Sequence, residues 1–239
     1  MSYDQPCPPS QQFPKRRKGA LDNDRLVLEA PCPGNPGVTS RLVWAIRKNN
    51  PGITIYTNDP ADRTEKTNNG RITANMDCIT FSAFLNALEQ YASQPEEGRT
   101  KIENYETVWA YGKPSESPVL MSETWVGRDK DGVVFISVLA AGRPRIRFNL
   151  GFGLMHRIYH GDGTPFSTSE ISVASAKAHV RILTALYGPV LVAEYLDPQI
   201  AKDKKAAANG GGGQRGYTPP GNAAPTTQQG DGSLDDLPF

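Results

Sequence analysis

The segment Arg143-Pro-Arg-Ile-Arg-Phe-Asn-Leu150 alternates cations with apolar residues. Side chains in an extended strand point to opposite faces. Ile146, Phe148 and Leu150 would therefore face a core, while Arg143, Arg145 and Arg147 line the other side, about 7 Å from one to the next. That is close to the spacing of successive phosphates. The same parity puts Arg41 and Arg47 opposite Trp44, and Tyr56 opposite Ile53 and Ile55. In Thr100–Gly112, Tyr105, Trp109 and Tyr111 share one parity with Lys101 and Thr107. Holding an unpaired nucleic-acid strand needs cations along the backbone and flat rings for the bases, each stack contributing about 1–3 kcal/mol without reading sequence.

Plainer readings exist for each feature. An arginine row on an edge strand also guards against aggregation, and a strand face with three aromatics can be core. Trp44 alternates with Leu42 and Ile46 and reads as core; Trp125 shares parity with Met121 and reads the same way. For Trp109 both readings stay open, because Val108 and Ala110 can supply a core on the other face.

A second chemical feature closes the sequence: Asp231-Gly-Ser-Leu-Asp235-Asp236-Leu237-Pro238-Phe239, preceded by a stretch with GGGG at 210–213. Phe239 is expected to carry the terminal carboxylate. An acidic, aromatic tip of this kind cannot fold alone. It suits a small pocket on another protein whose Arg or Lys side chains grip the carboxylates. A flexible linker of about 30 residues would give the tip a reach of about 30 Å.

Signals for catalysis are weak. His156 and His160 have i, i+4 spacing with Asp162 nearby, a thin basis for a metal-dependent nuclease. The chain has no GxxxxGK[ST] and no GxSxG, and GFG at 151–153 is too short for a dinucleotide fingerprint. No enzyme and no cofactor is expected.

The elements that would carry these residues can be read in order. Residues 1–24 are Pro- and Gln-rich and then basic (Lys15-Arg16-Arg17-Lys18), a flexible arm. Residues 25–30 suggest a strand, and the Pro/Gly-dense 31–39 a loop. Residues 40–47 and 53–57 make a hairpin, and 71–76 a further strand. Asp77 stands at an N-cap, with Phe81, Phe84, Leu85 and Leu88 at helical spacing, which predicts a helix over 78–93. Residues 101–151 read as an antiparallel meander, with Asp131-Gly132 as a turn. Ser167-Thr-Ser-Glu170 is a capping box for a helix from about 169 to 187, interrupted at Gly188-Pro189, with a further short helix expected to about 205. No internal repeat is visible in the residues.

Of the 239 residues, about 200 can share a core; the hydrophobic fraction is 38% and the mean hydropathy −0.49. No apolar run approaches the roughly 20 residues of a bilayer span, so no membrane partner is expected. MSYDQPCPPS has no apolar h-region, so no secretory leader is expected. Cys7, Cys32 and Cys78 fit neither a disulfide framework nor a zinc ribbon, and a cytoplasmic location follows. The net charge of +1 divides into −2 over 209–239, where Arg215 faces Asp231, Asp235 and Asp236, and so +3 over 1–208.

The tip and its linker resemble the C-terminal end of single-stranded-DNA-binding proteins of bacteria and phages. DDLPF differs from the bacterial DDDIPF by one Asp fewer and Leu for Ile. The resemblance implies a phage-type replication protein that binds single-stranded DNA without sequence preference and protects it. It also implies a β-rich α+β body at 25–205, an OB-like antiparallel barrel or meander with one or two accessory helices. Residues 206–230 would be a disordered linker. Asp231, Asp235, Asp236, Leu237, Pro238 and Phe239 would recruit partners such as a polymerase, helicase or primase. The DNA-binding residues (Arg41, Arg47, Tyr56, Tyr105, Trp109, Tyr111, Arg143, Arg145, Arg147) rest on strand parity alone, which leaves duplex binding open. A recombination or recruitment accessory protein acting mainly through the tail is the alternative.

Overall fold

The computed structural model describes residue 21 and residues 26–47, 49–64, 67–110, 113–152 and 156–200, the side chains of Trp109 and Ala110 excepted. The linker, the acidic tip, Tyr111 and the basic cluster at 15–18 lie outside the described residues.

Two antiparallel sheets of four strands each form the body. The first runs β1 (Leu28–Cys32), β2 (Asn35–Arg47), β3 (Asn50–Tyr56), β4 (Arg71–Asn75) in simple order, followed by helix α1 (Cys78–Ser93). The second contains β5 (Gly98–Glu106), β8 (Val119–Arg128), β9 (Val134–Ala140) and β10 (Ile146–Asn149), in the order β10-β9-β8-β5, followed by helix α2 (Thr168–Ala193). Between β5 and β8 a small hairpin, β6 (Trp109–Ala110) and β7 (Lys113–Pro114), is inserted. Both halves thus follow one plan, a four-stranded meander and then a helix. The sequence hides this duplication because the plan needs only matching polarity patterns.

The expected antiparallel meander is present, but the described strands close into no barrel. They stay as two open sheets whose inner faces pack against the apolar sides of the two helices. β1 lies beside β10 and β4 beside β8, where Ser122 Oγ donates to the Thr73 carbonyl at 3.4 Å. Alternation decides the faces. Leu42, Trp44, Ile53, Ile55, Ile72 and Ala74 point inward from the first sheet, and Val126, Val134, Ile136, Val138, Ile146 and Phe148 from the second. They join Phe81, Phe84, Leu85 and Leu88 of α1 and Ala176, Val180 and Leu183 of α2 in one core. Leu21, in the stretch read as an arm, is also buried there.

Helix α1 has the bounds the sequence implies. The Asp77 carboxylate accepts from the amides of Ile79 and Thr80, both at 2.8 Å, satisfying first-turn donors that have no intrahelical partner. α2 begins at the expected capping box, Ser167 with Glu170. It differs from expectation at its other end, running through Pro189 to Ala193. Gly188 explains this, since a residue without Cβ escapes most of the clash that a proline imposes on its predecessor. The Pro/Gly-rich 31–39 also differs: β2 already starts at Asn35, and a register shift after Pro31 absorbs the extra residues, so the prolines fall at a sheet edge and an irregularity. Asn49 holds the end of the compact unit, accepting from the Leu196 amide and donating to its carbonyl, both at 2.8 Å. In the following unit, Asp197 accepts from the Gln199 amide at 2.7 Å.

Core packing contains one titratable group. His179 on α2 is buried against Trp44, donates from Nδ1 to the Ser175 carbonyl at 2.9 Å, and has its pKa lowered from 6.5, chiefly by burial. The unfolded chain therefore binds this proton more readily than the folded one, so stability is complete above about pH 6.5 and falls as the pH drops below it. Denaturant melts of wild type and His179→Gln across pH 5–8 check this. The wild-type midpoint should fall toward acid, and the variant should lose that part of the slope.

Candidate nucleic-acid interface

The outward face of the second sheet collects rings and cations. Register places Lys101, Trp125, Ser137 and Arg147 in one cross-strand row, and Arg99, Gly127, Phe135 and Asn149 in the next. Three cations surround the Trp125 ring: Arg145 at 4.8 Å, Arg99 at 5.0 Å and Lys101 at 5.7 Å from its centroid. Arg147 lies 4.2 Å from the centroid of Phe135. Gly127 makes room for this arrangement, because a Cβ there would strike the Gly98 carbonyl and approach the Phe135 ring to 3.0 Å.

Carboxylates anchor the cations. Arg147 pairs with Asp129, Lys101 with Glu103, and Lys101 lies 3.8 Å from Glu123, which also accepts from Trp125 Nε1 at 3.2 Å. Glu103 has its pKa lowered, first by the Lys101 hydrogen bond, and Asp129 is also lowered, its pairing with Arg147 and backbone hydrogen bonds outweighing burial. Both stay ionised at neutral pH. The face holds the cations Arg99, Lys101, Arg145 and Arg147 against the carboxylates Glu103, Glu123 and Asp129.

Magnitudes decide what this surface can do. One cation over a half-buried ring such as Trp125 contributes between about 0.5 and 2 kcal/mol, whereas a base stacked on a ring contributes about 1–3 kcal/mol. A base can therefore displace a guanidinium from Trp125, and the released cation can pair with the phosphate that arrives with it.

A groove continues this surface toward the first sheet. It encloses about 580 Å³ between the β4 edge and the start of β8, and Arg47, Arg71, Arg143, Asn50 and Asn75 contribute to its polar side. Leu120, Met121, Ala140, Ala141 and Arg143 also line a smaller pocket of about 350 Å³, which reaches Glu123 and Leu139 on the second sheet. The two surfaces therefore join. On the outward face of the first sheet, Glu29, Arg41, Tyr56 and Arg71 form one cross-strand row, and Arg41 lies 3.3 Å from Glu29.

The residues singled out by parity divide as follows. Arg145 and Arg147 lie on the ring-bearing face. Arg143 does not extend their row, because β10 begins only at Ile146 and the preceding turn aims Arg143 inward. Its side chain is only 9% exposed, paired with Asp62 at 3.1 Å and with the Thr67 carbonyl, so it clamps the 60–70 loop to the β9–β10 turn. Arg47 lies in the groove; Arg41 and Tyr56 lie on the first sheet. Tyr105 is exposed, donating to Glu103 at 2.8 Å. It does not share a continuous strand with Trp109, because β5 ends at Glu106 and Trp109 pairs with Pro114 in the inserted hairpin. The Trp109 side chain and Tyr111 lie outside the described residues.

Trp44 is core as expected, 1% exposed. Trp125 overturns its core reading. Its parity partner Met121 is itself exposed, and the core side of β8 is taken by Ser122, Thr124 and Val126. Phe135, Arg99 and Arg71 were missed. Two rings at outward parity on consecutive strands, Trp125 and Phe135, were the available signal.

His160 lies 3.3 Å from Glu170 and stacks on Phe166, while Asp162 accepts from the Thr164 amide and hydroxyl. Among the described residues no three His, Cys, Asp or Glu side chains gather as a metal site. No described helix is long and apolar enough to cross a membrane. The site and fold define a β-rich α+β protein with a cationic, ring-bearing sheet face. No family model, no curated protein and no solved structure matches this chain.

Proposed function

We propose that this chain binds single-stranded DNA without sequence preference, in the manner of a phage replication protein, and recruits other replication proteins through Asp231–Phe239. The observation that carries the reading is the cluster of Arg99, Lys101 and Arg145 around Trp125, beside Arg147 on Phe135. Rings serve any base and cations any phosphate, so binding follows strand character and salt, with little base preference. The groove at Arg47 and Arg71 offers a path for the strand beyond the ring-bearing face. Recruitment rests on the tip sequence and its resemblance to the tails of single-stranded-DNA-binding proteins.

Fluorescence polarisation with labelled dT oligomers and a matched duplex tests the reading. The proposal expects tighter binding of the single strand, weakening steeply with salt. Engagement of about four phosphates by this face corresponds to a log–log salt slope of about −3. Equal or tighter binding of the duplex would contradict it. A second prediction concerns the tail: its carboxylates compete with phosphates for the same cations, so deleting residues 231–239 raises affinity for single strands at low salt, and added salt narrows the difference. Unchanged affinity throughout a salt titration would remove the competition from the account.

A further inference from the structure

Strand β5 is an edge. It pairs with β8 along its whole length, and among the described residues no strand pairs its other side. Six of its nine residues are exposed, Gly98 and Ile102 are half-buried and Asn104 is buried, so the strand is open to solvent over most of its length. An open edge of this length presents unpaired backbone donors and acceptors to any strand of matching pattern.

The outward residues of β5 are Arg99, Lys101, Glu103 and Tyr105, two positive followed by one negative and one ring. From this pattern we infer that a second copy of the chain pairs with β5 in antiparallel register about a two-fold axis at Ile102. Directly opposed residues in an antiparallel pair share a face, so only registers that oppose outward residues to outward ones keep both sheets continuous. An axis at Ile102 sets Lys101 against Glu103 of the second copy twice, and Arg99 against Tyr105 of the second copy twice. An axis at Lys101 opposes two lysines. An axis at Glu103 opposes two glutamates, and an axis at Thr100 opposes Arg99 to Lys101. An axis at Asn104 opposes Glu103 to Tyr105, forms no unlike-charge pair and uses only the end of the strand, which stops at Glu106. Like charges directly opposed destabilise a pair and unlike charges or cation–ring pairs stabilise it, which selects the Ile102 axis.

The contact is isologous, each copy giving and receiving the same surface. Lys101 and Glu103 already meet within one chain and need only exchange partners across the axis. The product is a continuous eight-stranded sheet whose outward faces lie side by side, carrying two Trp125 clusters.

Sedimentation equilibrium of the full chain at micromolar concentration, without DNA, tests the inference separately from the proposed function. The expected mass is twice 26.0 kDa, or a larger assembly built from such pairs. Lys101→Glu and Glu103→Lys, each of which opposes like charges across the axis, should halve it. The double variant Lys101→Glu/Glu103→Lys restores opposite charges and should restore the mass, with circular dichroism confirming that all variants fold. A wild type of monomer mass, a mass unchanged in either folded single variant, or a folded double variant that stays at half mass would overturn the inference.

Discussion

Trp125→Ala is expected to weaken binding of a dT oligomer by about 1–3 kcal/mol, roughly 5- to 150-fold, while leaving the fold intact. Removing the indole deletes the flat surface about which Arg99, Lys101 and Arg145 are arranged. The side chain is on the outward face and outside the core cluster, so its loss opens no cavity there. Trp125→Phe separates stacking from other roles. It keeps a ring but loses the hydrogen bond to Glu123. Affinity should follow the order wild type, Phe, Ala. An alanine variant that binds as the wild type does would detach the ring from the binding reaction.

Trp44→Ala should lower stability by about 3–5 kcal/mol, the usual cost of removing a large aromatic from a packed core. Trp44 is 1% exposed and donates from Nε1 to the Leu26 carbonyl at 2.9 Å. Its ring lies 6.4 Å from Phe81, 6.0 Å from Phe84 and 6.5 Å from His179, so it touches both helices from the first sheet. Truncation leaves a cavity at the meeting point of β2, α1 and α2 and an acceptor without its donor. Against a typical total stability of about 5–15 kcal/mol, this is a large fraction. Urea unfolding followed by far-ultraviolet circular dichroism measures it, and Trp125→Ala serves as the surface control with a small shift.

Local signals made much of the fold legible. The Asp77 cap and the Phe81–Leu88 spacing define α1 to the residue, and Ser167 with Glu170 marks the start of α2. Strand parity separates Trp44 from Arg41 and Arg47 correctly, because neighbouring Leu42 and Ile46 have no other place to go. Parity fails where an element ends unseen. Arg143 has the alternation of a strand residue but stands in a turn, where Asp62 and Thr67 capture it. Tyr105 and Trp109 share parity but not a strand, because the chain leaves β5 at Glu106. Sequence neighbours point Trp125 to the core, whereas its partners come from β5 and from the turn before β10, a pairing set by register between distant strands. The arrangement of two open sheets in place of a barrel is likewise a matter of which edges meet, and no single segment encodes that.

The most direct measurement is the intrinsic tryptophan emission of the full chain titrated with a dT oligomer at low salt. Of the three tryptophans, Trp44 is sealed in the core and contributes a background that DNA does not reach, and the titration is run in a Trp109→Phe background so that the remaining signal is that of Trp125. A base resting on the outward ring predicts saturable quenching that salt reverses and that Trp125→Phe largely abolishes while binding persists. Saturable binding with quenching that Trp125→Phe leaves unchanged, or no binding even in dilute buffer, would contradict the account.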